Sequence, residues 1–371
     1  MPGSKCLPIY IDSSITGYKQ ASLPNPCVME AAAAPLLLGI LLLSLSPSPL
    51  TARCPNTCGN LTIPYPFGIG SGCYLAEDSN MFPVDCDYEA NPPVAYWRNR
   101  STRLHITDFS VADHEFKLRG GVAYDCNDAS GSAELRLIGR RLSRFPISRT
   151  KNMFTAIGCD TVARFVGTVN NTFDKTCTAR CDNTMANTTW SGFGYCQMSV
   201  PWDCTEYNIS ITNNNSDLNS CSYGFVAEKG YFNFSAEYLL KSMTGRTTTP
   251  VIVEWSIPGK ECDEAQQDNA PFACRGNTTC TDVMSGYQCQ CKEGYRGNPY
   301  LSGENGCQDI DECITSNPCI VTRMCTNLPG SFNCSCPKGY LGDGLRNGTG
   351  CIPQLQSKSR AYIVLSKYLR L

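Results

Sequence analysis

The stretch Gln308-Asp309-Ile310-Asp311-Glu312-Cys313 places acidic side chains immediately before a cysteine. A second stretch, Cys325-x-Asn327-x4-Phe332-x-Cys334, follows and adds an amide oxygen and an aromatic ring. Calcium in proteins takes six to eight oxygen ligands at about 2.3–2.6 Å. This spacing can supply them from the side chains of Asp309, Glu312 and Asn327 and the backbone carbonyls of Ile310, Leu328 and Ser331. The alternative is a solvated acidic turn, but the coincidence of the acids with a cysteine frame favours a calcium site.

These residues resemble a calcium-binding EGF module, whose cysteines here run from Cys313 to Cys351. The family's calcium ligands fall on the same positions, and Asp311 and Phe332 match supporting rather than ligating residues. The preceding frame, Cys262 to Cys307, resembles a first EGF module but has Gly259-Lys260-Glu261 before its first cysteine. We therefore expect one Ca²⁺ site, in the second module, where a bound ion would fix the angle between the two modules.

Six cysteines per module can pair in many ways, and the sequence alone leaves the choice open. The EGF resemblance implies one-three, two-four and five-six pairing: Cys262–Cys280, Cys274–Cys289, Cys291–Cys307, Cys313–Cys325, Cys319–Cys334 and Cys336–Cys351. A zinc site at Cys289-Gln-Cys291 or Cys177-x3-Cys181 is the less favoured alternative.

Cysteine content indicates the compartment. The chain of 371 residues has 25 cysteines, 23 of them from Cys54 onward, which is typical of a disulfide scaffold in an oxidising environment. Asn-x-Ser/Thr sequons point to the same secretory surface: Asn60, Asn99, Asn170, Asn187, Asn208, Asn214, Asn233, Asn277, Asn333 and Asn347. With 31 basic against 33 acidic residues, the whole chain has no charge excess that would attract nucleic acid.

Targeting signals agree with secretion. Ala31 to Leu43 is an apolar run followed by small residues up to Ala52, as in a signal peptide, and a signal anchor is the alternative. We expect translation to start at Met29. The apolar run Ala361 to Leu365 is too short to span a bilayer. The expected location is extracellular, or at the plasma membrane if a longer form carries a transmembrane segment.

The segment from Cys54 to Cys73 is rich in proline, glycine and cysteine, which predicts a tight, clamped loop. Its Gly68-x-Gly70-x-Gly72 lacks the Lys-Ser/Thr of a phosphate loop, so we expect no nucleotide. This segment, with Val122-Ala-Tyr-Asp-Cys126 and Phe154-Thr-Ala-Ile-Gly-Cys-Asp160, resembles the galacturonan-binding domain of plant wall-associated receptor kinases. The resemblance extends from Cys54 to Cys351 and implies an ectodomain that lies in the cell wall and binds pectin.

Two departures from this family stand out. The family has adjacent cysteines where this chain has Tyr195-Cys196, so Cys54 to Cys221 contains an odd number, eleven, and one thiol should be free or intermolecular. No Val-Ala-Ile-Lys, His-Arg-Asp or Asp-Phe-Gly motif of a protein kinase occurs in the chain. The sequence therefore resembles the ectodomain alone.

The predicted fold is mainly β, disulfide-rich and loop-rich. Leu104 to Leu118 alternates near period two, Gly120-Gly121 predicts a turn into Val122-Ala-Tyr124, and Thr249 to Ile257 predicts a strand that closes this part. The Asn-rich interval Asn208–Ser220 predicts an exposed loop. The expected domains are an upstream extension (1–28), a signal peptide (29–52), a galacturonan-binding-like domain (54–126), a cysteine-rich β region (127–258), an EGF-like module (259–307), a calcium-binding EGF-like module (309–351) and a tail (352–371).

Positive charge is concentrated in the middle of the chain. Residues 98–151 contain eleven basic and six acidic residues, whereas residues 259–351 contain seven and eleven. Arginine pairs bidentately with carboxylates, and aromatic faces suit sugar rings, so these clusters suggest a site for acidic polysaccharide. The candidate contacts are Trp97, Arg98, Arg100, Arg103, Arg140, Arg141 and Arg144, in the stretches Tyr96–Arg103 and Arg136–Phe145. An ordinary solvated face is the alternative.

No catalytic motif stands out. The two histidines, His105 and His114, have no Gly-x-Ser-x-Gly elbow, and no pair of carboxylates is singled out. We therefore expect a binding module and not an enzyme. The alternatives to a pectin-binding ectodomain are a spacer that binds extracellular protein ligands and a fragment of a receptor serine/threonine kinase.

Overall fold

The structure is a computed structural model that describes residues 54–75, 81–99, 102–127, 133–142, 144–168, 173–181, 194–214, 220–235, 248–267 and 272–354. The expected upstream extension, the signal peptide and most of the tail lie outside these ranges, as do Arg100, Asn170 and Asn187. The seven other sequon asparagines whose side chains are described, Asn60, Asn208, Asn214, Asn233, Asn277, Asn333 and Asn347, are all exposed. Their glycosylation stays a prediction.

The described residues are mostly strands, as the sequence predicts. We call residues 54–258 the β region. Its strands are β1 (Thr57–Cys58), β2 (Leu61–Thr62), β3 (Val84–Asp87), β4 (Val94–Asn99), β5 (Thr102–Ser110), β6 (Glu115–Arg119), β7 (Val122–Asn127), β8 (Ala133–Arg136), β9 (Ile138–Arg141), β10 (Asn152–Ile157), β11 (Thr161–Thr168), β12 (Phe173–Ala179), β13 (Tyr195–Ser199), β14 (Glu206–Asn213), β15 (Cys221–Glu228), β16 (Pro250–Glu254) and β17 (Ile257–Pro258).

The two EGF modules consist of short hairpins and turns of helix. Their elements are α1 (Cys262–Gln267), β18 (Thr278–Val283), β19 (Gly286–Cys291), β20 (Tyr295–Arg296), a 3-10 turn (Gly303–Asn305), β21 (Gln308–Asp309), α2 (Glu312–Thr315), a second 3-10 turn (Thr322–Met324), β22 (Cys325–Leu328), β23 (Ser331–Cys334), β24 (Tyr340–Leu341) and β25 (Ile352–Pro353).

Three antiparallel sheets make up most of the β region. Their strand orders are β16-β6-β5-β4-β3, β13-β10-β15-β7-β8 and β12-β11-β14-β9. The predicted strands around Leu104 and Leu118 are confirmed as β5 and β6, and the run from Thr249 is confirmed as β16, which closes the first sheet against β6. β7 (Val122–Asn127), which contains the expected boundary at residue 126, lies in the second sheet, and β16 lies in the first. The domain bounds stay a prediction.

The loop predicted for Asn208–Ser220 is wrong in its first part, because Glu206–Asn213 is strand β14. Tyr207, Ile209 and Ile211 are buried, and the residues between them are exposed. That period of two defines a strand with one face on the core, and it outweighs the local abundance of asparagine.

An aromatic cluster fills the core of the β region. Trp97, Phe116 and Phe145 are at most 1% exposed, and the Trp97 ring stacks on Phe145 with a centroid distance of 5.4 Å. Phe67 contacts Trp255 edge-on at 5.4 Å. Buried rings of this size supply much of the apolar area that holds a loop-rich chain together.

Disulfides clamp the remaining segments. The EGF modules have the six pairs that the resemblance implies. In the β region the pairs are Cys54–Cys73, Cys58–Cys86, Cys126–Cys221, Cys159–Cys181 and Cys177–Cys196. The cysteines of both zinc alternatives are thus in disulfides.

The odd cysteine is Cys204, whose thiol is free and fully buried. Burial raises the pKa of this thiol to about 12, and its hydrogen bond goes to the Glu206 carbonyl and not to a histidine. It is therefore neither an intermolecular partner nor an activated nucleophile.

The first EGF module is docked on the β region. The buried His114 ring lies 2.9 Å through Nε2 from the carbonyl oxygen of Cys289, so Nε2 donates. Tyr300, which is 2% exposed, packs on Trp255 with a centroid distance of 5.3 Å. Asn298 Nδ2 also donates to the Tyr65 carbonyl at 2.6 Å. This module is thereby part of the body of the β region.

The second EGF module is joined to the first through two glycines. Ile310 N donates to the Gly294 carbonyl at 2.8 Å, and β21 pairs with β20. A Cβ at Gly294 would lie 2.1 Å from the Gly330 oxygen, and one at Gly330 would lie 2.6 Å from the Tyr295 ring. Both glycines have positive φ, so the close approach depends on residues without a side chain.

Candidate functional site

Five arginines line one open groove on the β region, with a volume of about 380 Å³. They come from β5, the end of β6, the end of β8 and β9: Arg103, Arg119, Arg136, Arg140 and Arg141. We call this surface the arginine groove. Tyr96 and His105 also line it.

The turn Gly120-Gly121 brings these segments together. It connects β6, which ends at Arg119, to β7, and β9 packs directly against it. A Cβ at Gly121 would lie 2.7 Å from Ile138 Cδ1 and 2.9 Å from Arg140 Nη2. The missing side chain therefore leaves the space in which Arg140 approaches the end of β6.

The arginines differ in their partners. Arg141 pairs with Glu206 at 3.0 Å, and Arg103 lies 3.7 Å from Asp87. Within the described part of the chain, Arg119, Arg136 and Arg140 make no ion pair. The groove therefore has an excess of positive charge that could be neutralised by a ligand with several carboxylates.

An aromatic ring supports one arginine at the edge of the groove. The Arg103 guanidinium lies 4.3 Å from the centroid of the Tyr96 ring, and the His105 ring lies 5.7 Å from the Tyr96 ring, centroid to centroid. Burial, and then the nearby Arg119, lower the pKa of His105. His105 is therefore a neutral hydrogen-bonding group at neutral pH.

The structure separates the candidate polysaccharide contacts. Arg103, Arg140 and Arg141 meet in the groove, whereas Arg144 lines a different groove beside the first EGF module. Nothing is described of the Arg98 side chain or of Arg100.

Trp97 needs a correction, because its ring lies in the core and cannot stack on a sugar. It is 1% exposed, and its Nε1 donates to the Met81 carbonyl at 2.8 Å. In β4 the inward positions are Ala95 and Trp97, while Tyr96 faces the groove. The alternation along a strand assigns adjacent aromatic residues to opposite faces.

Sequence reasoning missed Arg119, and it included Arg136 only as part of a cationic stretch. Arg119 is one position before the predicted Gly120-Gly121 turn. A charged residue at the edge of a turn is a common pattern, and the position of Arg119 in the groove depends on the packing of β9 against that turn.

A second candidate site lies at the start of the second EGF module, and we call it the calcium corner. Asp309 accepts hydrogen bonds from Asn327 Nδ2 at 2.6 Å and from the Gly330 backbone amide. Glu312 begins α2, and Leu328 and Ser331 form the last pair of the β22–β23 hairpin. Asp311 accepts from Ile314 N at 3.1 Å as the N-cap of α2, which agrees with a supporting role.

Two oxygens in the calcium corner are buried without partners. Among the described residues, Glu312 Oε2 and Asn327 Oδ1 make no hydrogen bond. An unpaired buried oxygen costs roughly 1–3 kcal/mol, so a cation between these atoms would remove that penalty. No three His, Cys, Asp or Glu side chains in the described residues are grouped so that they could hold a metal ion by themselves. This corner instead combines carboxylate, amide and carbonyl oxygens, a set that fits Ca²⁺.

In the equivalent corner of the first EGF module, the protein's own groups are paired with each other. By cysteine frame Pro258 takes the place of Asp309, and Asp282 takes the place of Asn327. Asp282 Oδ1 accepts from Cys262 N at 2.6 Å, and β17 pairs with β19 at Gly286. A Cβ at Gly286 would lie 1.9 Å from the Ile257 oxygen, so β17 and β19 approach each other closely at this corner.

Comparison with known proteins follows the same division of the chain. Residues 54–119 match the model for the wall-associated receptor kinase galacturonan-binding family, residues 266–299 the EGF-like domain, and residues 309–351 the calcium-binding EGF domain. This is a wall-associated-receptor-kinase-like ectodomain. No kinase domain is among the matching family models.

Two curated relatives from Arabidopsis thaliana show the extent of the similarity. Wall-associated receptor kinase 2 is 34% identical over 273 residues, and wall-associated receptor kinase 5 is 35% identical over 274 residues. Each match covers 71% of this chain and 35% of the relative, so the chain spans about a third of the length of these relatives. No solved structure matches the chain. Among the described residues, no helix has the length and apolar character of a membrane span.

Proposed function

We propose that this ectodomain is an extracellular binding module that holds an acidic wall polysaccharide of the galacturonan type in the arginine groove. The observation that carries the proposal is the grouping of Arg119, Arg136 and Arg140, without carboxylate partners in the described residues, beside two further arginines. The family model named for galacturonan binding includes Arg103 and Arg119. Eleven disulfides among the described residues support an extracellular location.

The chemistry of such a ligand suits the groove. Each unesterified galacturonate carries one carboxylate, which a guanidinium can bind through two parallel N–H···O bonds. Part of the attraction comes from charges at the surface, so binding should weaken as salt increases.

Charge reversal tests this proposal. Arg119→Glu and Arg140→Glu should each lower affinity for de-esterified polygalacturonate at least tenfold, because a charge-assisted pair becomes a repulsion. Lys175→Glu, on the exposed side of β12, is the matched control for net charge, and Arg144→Glu tests the candidate that lies outside the groove. Retention on immobilised polygalacturonate across a salt series is the measurement. Equal retention of the groove variants and of Lys175→Glu would remove the groove from the site.

We further propose that the calcium corner binds one Ca²⁺. Asp309, Glu312 and Asn327 would hold it with their side chains, and Ile310, Leu328 and Ser331 with their carbonyls, while the ion supplies positive charge between the two unpaired oxygens. Titration of the secreted chain with Ca²⁺ should show one site, and Glu312→Gln should weaken it. Unaltered Ca²⁺ affinity in that variant would contradict the assignment.

A second function, the binding of an extracellular protein, is favoured by one observation. Leu341 and Ile352, which are 58% and 61% exposed, face each other across the β24–β25 hairpin beside Tyr340. Exposed apolar side chains that are contiguous on the surface are a feature of protein-interaction sites. Crosslinking of the secreted chain to wall proteins, compared with Leu341→Ser, would distinguish this function from glycan binding.

A further inference from the structure

A second cation–aromatic pair stands apart from the arginine groove. The Arg149 guanidinium lies 4.3 Å from the centroid of the Trp202 ring, and Trp202 is 59% exposed. Neither residue lines the arginine groove. We call Arg149 and Trp202 the tryptophan platform.

The backbone on both sides of the platform is anchored. Ser148, next to Arg149, is fully buried and donates its N–H to the Ile252 carbonyl at 2.9 Å. Trp202 lies between Val200 and Cys204, which are at most 1% exposed, and Asp203 has a φ of +48°. An exposed tryptophan is thus presented by a fixed turn and not by a long free loop.

The Arg149–Trp202 pair differs from the Arg103–Tyr96 pair in the acidic partners of its arginine. Both guanidinium groups lie 4.3 Å from a ring, but Arg103 is also within 3.7 Å of Asp87. Among the described residues Arg149 makes no ion pair. Stacking on the ring restricts the guanidinium and leaves its N–H edge available, which lowers the entropy lost when a carboxylate binds.

We infer that the tryptophan platform is a second subsite for a uronate unit. The carboxylate would bind the N–H edge of Arg149, and the sugar ring would lie on the exposed part of Trp202. A carboxylate joined to a sugar ring matches a cation beside an aromatic face better than a neutral sugar or a free anion does. The neighbouring groove carries both charges, Arg144 and Lys260 against Asp203, Glu261 and Glu264, so an acidic chain is held at the platform and is not drawn along that groove.

This inference rests on the proposed binding of acidic polysaccharide, and it adds a second point of attachment. Two subsites on one rigid body raise the apparent affinity for long chains by raising the effective concentration of the second contact. Short oligogalacturonates that reach a single subsite gain nothing from the second.

The test uses the full secreted chain and a de-esterified oligogalacturonate. Trp97 and Trp255 are each 1% exposed, and Trp190 lies outside the described residues, so the change in tryptophan fluorescence on adding the oligosaccharide should be lost in Trp202→Ala and retained in Trp190→Phe. In the background Arg119→Glu/Arg140→Glu, residual binding should fall roughly tenfold on adding Arg149→Gln or Trp202→Ala, the loss expected for one charge-assisted bond or one ring contact. Trp202→Tyr should restore part of it, and Lys175→Gln should change nothing. A fully methyl-esterified oligosaccharide should not bind at the platform.

The outcomes separate the two proposals. If Arg149→Gln and Trp202→Ala bind the oligogalacturonate as the parent does, the platform is overturned, whatever the groove variants show. If the platform variants lose affinity and the groove variants do not, the platform stands and the groove is overturned. Equal loss with neutral and acidic oligosaccharides would overturn the assignment to a uronate. Circular dichroism of each variant establishes that the fold is retained, which the exposure of Trp202 leads us to expect.

Discussion

The two EGF modules have the same cysteine frame, but the side chains at the equivalent corner differ in their hydrogen-bond partners. In the first module Asp282 accepts from the Cys262 amide, and β17 pairs with β19. In the second, Glu312 Oε2 and Asn327 Oδ1 are buried without partners among the described residues, and the preceding strand β21 pairs with β20 of the first module. In the first module the corner's carboxylate is hydrogen-bonded to the protein backbone. In the second module the corner has oxygen atoms that could bind an ion.

This difference follows from what each module is attached to. The first module is fixed by Tyr300, His114 and Trp255 to a large body, so its orientation needs no metal. The second meets its neighbour through a strand pair of two residues on each side and through the close approach of two glycines. A calcium ion at that joint would add stiffness where packing supplies little.

The largest effect on the free energy of unfolding should come from disrupting the contact between the first EGF module and the β region. Tyr300→Ala deletes a buried ring and should lower the free energy of unfolding by roughly 3–5 kcal/mol. Ile314→Ala in the second module is the matched control, since Ile314 is 82% exposed and its loss should stay within about 0.5 kcal/mol. Denaturant titration measures both, and equal effects would contradict the asymmetry.

Calcium affinity should separate the two corners. Glu312→Gln should weaken Ca²⁺ binding roughly ten- to a hundredfold, because a charged ligand is replaced by a neutral amide. Asp282→Asn in the first module should leave Ca²⁺ affinity unchanged. Calorimetric titration is the measurement, and a loss of affinity in Asp282→Asn would place an ion in the first module instead.

The internal hydrogen bond of the first corner should contribute without metal. Asp282→Ala removes the acceptor for Cys262 N and should cost about 1 kcal/mol in chelator and in Ca²⁺ alike. For Asn327→Ala, most of the loss in free energy of unfolding should occur only when Ca²⁺ is present. Thermal unfolding in both conditions compares them, and identical metal dependence of the two variants would contradict the distinction.

Chelation should have the smallest effect on global stability. With a Kd of roughly 10⁻⁴–10⁻³ M, about 1 mM Ca²⁺ stabilises the bound form by about 0.4–1.4 kcal/mol. The local effect is easier to see, as faster proteolysis between Gln308 and Asp311 in chelator. Cleavage near Ile257–Pro258, at the docked module, is the internal control and should not respond. Equal resistance of the Gln308–Asp311 joint in both conditions would count against calcium at the joint.

Local sequence patterns predict those parts of the structure whose conformation depends on residues close together in the sequence. The strands β5, β6 and β16 depend on short spacings, and the structure places them as expected. The calcium corner also depends on short spacings, and its ligand set stays a prediction. The prediction of Trp97 as a sugar contact is wrong because the alternation along β4 turns its ring into the core, which local charge composition does not show. The arginine groove depends on β9 packing against Gly121, a contact between distant segments that no single stretch of sequence encodes.

Strand β16 has a mechanical consequence. It leads through Trp255 into the first EGF module, and its residue Pro250 is paired with Arg119 at the end of β6. Tension applied to the second module would therefore travel through the docked module and reach the sheet beside the groove as shear along β6. The pull from a stretched wall and the binding of a ligand in the groove would then both act on strand β6.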